Sequence, residues 1–101
     1  MIRVVKLTFQ EDKIADFLAF FDTINHIVNE FPGCNGMQLL QDRQHPFIVF
    51  TYSDWKDEAA LENYRVSPDF QRIWSTIKPW FSEKAQAWSV DVYFNGFEKK
   101  S

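Results

Sequence analysis

Between Ile14 and Phe31 the apolar residues recur at steps of three and four: Ile14, Phe17, Leu18, Phe21, Ile24, Ile27 or Val28, and Phe31. That spacing predicts one amphipathic helix of about five turns carrying a single apolar stripe. Pro32-Gly33 ends it, the proline by removing a donor and the glycine by releasing the backbone. Glu11 and Asp12 sit where negative charge suits a helix start. A stripe this long needs an extended apolar surface to lie on, and the flanking segments read as strands.

Residues 1–9 are rich in strand formers, with Val4, Val5, Leu7 and Phe9 falling on both faces of a period-two pattern. Strands are expected at 35–42 and 46–53, joined by the short polar link 42–46. In the second of these, Phe47, Val49 and Thr51 face one side while Ile48, Phe50 and Tyr52 face the other. A helix over 57–65 follows, capped by Asp54 or Asp57. Ser67-Pro68 then reads as a cap and a first-turn proline opening a helix through Phe70, Ile73, Trp74 and Ile77. Pro79 stops or kinks it, and Trp80 and Phe81 anchor the loop beyond. Residues 87–94 alternate cleanly, with Trp88, Val90, Val92 and Phe94 on one face. The order strand-helix-strand-strand-helix-strand is that of a ferredoxin-like α+β fold, a four-stranded antiparallel sheet with helices on one face. Residues 1–95 make one domain and 96–101 a polar tail.

Composition sharpens this. The 101 residues include 11 Phe, 4 Trp and 3 Tyr, many rings for one small core. Either rings line a cavity, or they fill a packed core of large side chains; another subunit can also cover an apolar face. The two-faced strands favour a homodimer through the outer sheet face. Eleven basic against fourteen acidic residues, net −3, give no support to a phosphate-tracking nucleic-acid binder. One cysteine cannot form an internal disulfide, and no apolar run reaches a membrane-spanning length. The expected location is cytoplasmic, with no membrane and no nucleic acid among its partners.

Chemistry-bearing residues are few. His26 and His45 lie far apart with no metal-ligand spacing, and Cys34 has no histidine placed to activate it. Asp54, Asp57 and Glu58 suit a solvated helix start. The three glycines form no phosphate loop. The aromatic set is more pointed: Phe17, Phe21, Phe50, Trp74 and Trp88 are candidate walls for a flat aromatic ligand. Tyr64, Asn63, Tyr52 and Gln38 are candidate polar handles, and His26 a weaker acid-base candidate.

Five segments in order, VVKLTF, EFPGC at 30–34, FTYSDWKDEAALENY at 50–64, SPDFQRIW at 67–74 and AWSVDVYF, together resemble the antibiotic-biosynthesis monooxygenase family of dimeric α+β barrel proteins. The resemblance covers about residues 1–94. It implies a pocket between helices and sheet and dimerisation through the outer sheet face. It further implies oxygenation of an electron-rich aromatic ring of quinol or anthrone type, with the substrate supplying the electrons and no cofactor or metal. On that reading Tyr64, Asn63 and His26 are the catalytic candidates, and Trp74, Phe17, Phe21, Phe50 and Trp88 bind substrate. Haem-degrading relatives use an Asn, a Trp and an iron-ligating His where this chain has Val5, Tyr64 and Trp74. Indole nitrogen offers no lone pair to iron, so haem is not expected. Quinol-oxygenating members often carry an H-x-x-SPHF-like stretch, which here reads NYRVSPDF. The alternative expectation is a non-catalytic binding protein for a small aromatic or lipophilic ligand.

Overall fold

A computed structural model describes residues 1–97 of the chain; residues 98–101, most of the expected polar tail, lie outside the described part. The elements are β1 (Ile2–Thr8), α1 (Ile14–Asn29), β2 (Cys34–Gln41), β3 (Ile48–Trp55), α2 (Glu58–Arg65), α3 (Pro68–Ile77) and β4 (Gln86–Val90), with a 3-10 turn at Lys78–Trp80 after α3. All strand pairings are antiparallel, in the order β2-β3-β1-β4, and the sheet is open rather than a closed barrel. This is the ferredoxin-like α+β arrangement the element order predicts.

Local chemistry explains most boundaries. Asp57 caps α2 by accepting from the Ala60 amide at 2.8 Å, so it is Asp57 and not Asp54 that serves. Ser67 caps α3 by accepting from the Phe70 amide at 3.1 Å, with Pro68 in the first turn. Asp42 organises the β2-β3 link by accepting from the amides of Gln44 and His45, and these bonds hold its carboxyl below the usual range. α1 opens without a side-chain cap: Lys13 takes that position and Asp16, rather than Glu11 or Asp12, lies in the first turn. β4 ends at Val90, four residues short of the expected end. Asp91–Phe94 pair with nothing among the described residues, and Tyr93 and Phe94 are almost fully exposed.

Registry fixes the two faces. Val5 lies opposite Thr51 on one side and Ala87 on the other, while Val4 lies opposite Tyr52 and Trp88. Odd-numbered positions of β1, β3 and β4 therefore face the helices, and even-numbered ones face away. Two buried clusters form under the helices. Leu7, Phe9, Phe17, Val49 and Ile77 make one; Trp55, Ala60, Leu61 and Tyr64 make the other. Phe81 packs edge-on against Phe9, and Trp80 against Phe20, which pins the segment leading into β4.

Candidate functional site

The two clusters do not close on each other. Between them lies a cavity of about 390 Å³, within the range of ligand pockets and at its smaller end. Phe17, Phe21, Ile24 and Val28 of α1 form one wall, so the stripe of the long helix is also the cavity ceiling. The sheet contributes Val5, Leu7, Thr51, Ser53 and Trp55 as the floor. α2 and α3 add Leu61, Tyr64, Phe70, Ile73, Trp74 and Ile77. Of the residues lining it, Arg65 and Ala87 are the most exposed, which places the mouth between the end of α2 and the edge strand β4.

Tyr64 is the best-held polar residue in this wall. Its ring stacks on Trp55 at 5.4 Å and meets Phe70 and Phe31 edge-on, each at 5.2 Å. Only 9% of the residue is exposed. Its hydroxyl makes no hydrogen bond among the described residues and, since no fully buried side-chain oxygen or nitrogen among them goes unpartnered, it keeps some accessible surface. Burial, with the nearby Asp69 charge and Cys34 adding to it, pushes its pKa up to about 12. At neutral pH the phenol is thus a donor and not a base. Phe70 stacks on Trp74 at 5.7 Å and an interplanar angle of 10°, giving a flat wall one helical turn away. The Trp55 indole N–H donates to the Ser53 hydroxyl at 2.9 Å and has no capacity left for a ligand.

The structure brings Tyr64, Trp74, Phe17 and Phe21 together around one space. Others fall elsewhere. Phe50 and Trp88 occupy even positions, so the pleat carries them to the outer sheet face; they line no part of the cavity. Tyr52 and Gln38 share that outer face and are exposed. Asn63 is one residue from Tyr64, a rotation of about 100° that leaves it in solvent. His26 lies two residues from both Ile24 and Val28, about 200° round the helix, and is likewise exposed. Cys34 is half-buried, with its Sγ 3.7 Å from the Gly36 carbonyl oxygen and no place in the cavity wall.

Sequence reasoning passed over Arg3, Thr51, Phe70 and Arg65. Arg3 stands at an inward position of a central strand, where a charged side chain is out of pattern, but that phase is fixed only by the pairing of β1 with β3 and β4. Among the described residues, no His, Asp or Glu lines the cavity, and no three His, Cys, Asp or Glu side chains gather as a metal site would need. No helix of the described residues is long and apolar enough to cross a membrane.

A small open antiparallel sheet with a ring-walled cavity under its helices defines a class of ferredoxin-like ligand-pocket domains. Within that class the family model for antibiotic biosynthesis monooxygenase matches residues 1–75, and the chain belongs to that family. No curated protein matches it. Among solved structures, it is similar to a putative antibiotic biosynthesis monooxygenase from Nitrosomonas europaea, with 15% identity, TM-score 0.84, and 92% of this chain and 98% of that one covered. A counterpart from Bordetella bronchiseptica shares 22% identity at TM-score 0.79, covering 90% and 95%. A conserved protein from Methanosarcina mazei Go1 shares 23% at 0.78, covering 85% and 86%. Identities this low establish the fold these chains share and no more.

Proposed function

We propose that the chain is a cofactor-independent monooxygenase of a small electron-rich aromatic compound, of quinol or anthrone type. The observation that carries this reading is the 390 Å³ ring-walled cavity with a protonated, otherwise unpartnered Tyr64 hydroxyl in its wall. An anthrone-type ring entering between Trp74 and the α1 phenylalanines would bring its ring oxygen to Tyr64. The phenol O–H then donates to that oxygen as negative charge develops there, lowering the cost of forming the enolate or phenolate, while the substrate's proton passes to water at the cavity mouth. The anion is electron-rich enough to reduce dioxygen directly. A ring CH₂ and O₂ become C=O and H₂O: one oxygen atom forms the new carbonyl, the other leaves as water, and the substrate supplies all four electrons. Apolar walls exclude bulk water from the intermediate. Tyr64 is the proposed catalytic residue, with Trp74, Phe17 and Phe21 as substrate walls.

The proposal extends to a homodimer through the outer sheet face. Val4, Leu40, Phe50, Tyr52, Trp88 and Val90 gather on that face, and Leu40, Trp88 and Val90 are each 45% exposed. An apolar patch of this kind is normally covered by another chain.

Oxygen uptake against reduced naphthoquinols and anthrones, with product analysis and boiled protein as the autoxidation control, tests the enzyme reading. Catalytic uptake with an oxygenated product is expected. A second reading, a binding protein that holds the aromatic without turnover, is favoured by the lack of any carboxylate or imidazole base in the cavity wall. It predicts saturable binding of the same compounds with uptake no faster than the control.

A further inference from the structure

Arg3 is the odd residue of the sheet. It sits on a central strand at a position facing the helices, among Val5, Leu7, Thr51 and Ser53, where a strand under helices ordinarily carries an apolar side chain. Its guanidinium donates to the Ser89 hydroxyl at 3.0 Å and makes no ion pair among the described residues. A guanidinium forks five N–H donors, and one hydroxyl leaves most of them free. Arg65 reaches the same cavity from the end of α2, close enough for each positive charge to oppose the other. Arg65 keeps one exposed ion pair, with Glu62 at 3.2 Å, and Glu58 lies within electrostatic range of Arg3. Neither acid lines the cavity. Among the described residues, its only charged lining groups are the two guanidiniums.

Two like charges brought together at the mouth of an apolar cavity make it a favourable place for an anion to come between them. We propose that the substrate or ligand carries an anionic substituent, a carboxylate on an aromatic body, and that Arg3 and Arg65 clamp it at the mouth while the ring lies inside. Planar guanidinium matches planar carboxylate through paired N–H···O bonds. The arrangement also sets orientation: with the carboxylate at the β4 edge, the far end of the ring system points inward along the Trp74 wall. This inference rests on the ligand-pocket reading above and narrows its substrate class.

Calorimetric binding of 2-naphthoate and of its neutral counterpart 2-naphthalenemethanol tests it on the full chain. The acid should bind about ten- to hundredfold more tightly, the range expected of charge-assisted hydrogen bonds. Added salt should erode that preference. Arg3→Gln and Arg65→Gln should each reduce it at least several-fold, lowering the acid's affinity by far more than the neutral compound's. Arg3→Lys should keep part of it, and unchanged circular dichroism shows that each variant folds. Equal affinity for the two compounds overturns the clamp and leaves the pocket standing. A preference for the acid that survives both glutamine variants overturns the assignment to these arginines. Binding of neither compound counts against the ligand pocket itself, and the clamp falls with it.

Discussion

Tyr64 shows how one side chain acquires a role from its surroundings. Trp55, Phe70 and Phe31 hold its ring, so the direction of the hydroxyl is set before any ligand arrives. Because the hydroxyl has no protein partner, Tyr64→Phe should cost less than about 1 kcal/mol of stability in urea unfolding. Turnover, if the proposed chemistry runs, should fall about 10²-fold, the usual effect of removing one oxyanion donor. Equal turnover in the variant removes Tyr64 from the mechanism. The raised pKa has its own consequence. The folded chain holds the proton up to about 12 while the unfolded chain releases it near 10.0. This contribution is complete below pH 10.0 and is lost as pH rises toward about 12. A tyrosinate absorbance titration checks it: a late step with a midpoint at about 12 is expected, and Tyr64→Phe should abolish that step.

Among the elements, the passage from α1 into β2 is the tightest. Gly33 has φ of +90°, and a β-carbon there would collide with the β-carbon of Ala60 on α2. Both the backbone sign and the space demand glycine. The Gly33 carbonyl also accepts from the Lys56 amide at 2.8 Å, tying the end of β3 to this turn. Gly33→Ala should therefore destabilise the fold by about 2–4 kcal/mol, combining left-handed strain with overpacking. A urea midpoint within error of the parent would show that α2 gives way freely. Since α2 carries Tyr64 and Arg65, the turn also sets the height of the cavity.

At the scale of the whole molecule, the open sheet leaves an apolar face that the helices never reach. If a second copy covers it, light scattering at micromolar concentration should give twice the chain mass. Trp88→Glu should shift the protein toward the monomer without changing its far-ultraviolet spectrum, by placing a charge on the covered face. A monomer mass for the parent overturns the dimer. The projecting segment Asp91–Phe94 fits the same picture: its alternation is that of a strand, and its rings lie exposed beyond β4.

The element order and the Ser67 cap were legible because each depends on short-range spacing, whereas the α1 start, which Lys13 opens without a side-chain cap, was not. The α1 stripe follows from a period of 3.6 residues, and the Ser67-Pro68 start from one side chain meeting one amide. Tyr64, Trp74, Phe17 and Phe21 could be placed for the same reason: helical phase alone turns them toward the sheet. Phe50 and Trp88 could not. Period two says that strand neighbours face opposite ways, but both faces here are apolar, and only the registry of β1 with β3 and β4 decides which lies under the helices. Arg3 escaped notice because a lone basic residue near a chain start carries no local signal. It becomes meaningful only when the sheet turns it inward and α2 brings Arg65 to the same cavity mouth. The sequence by itself determined the elements, since propensity, periodicity and capping act over a few residues. The tertiary structure alone decided which rings enclose the cavity and which charges meet at its mouth, because those depend on pairing between segments distant in the chain.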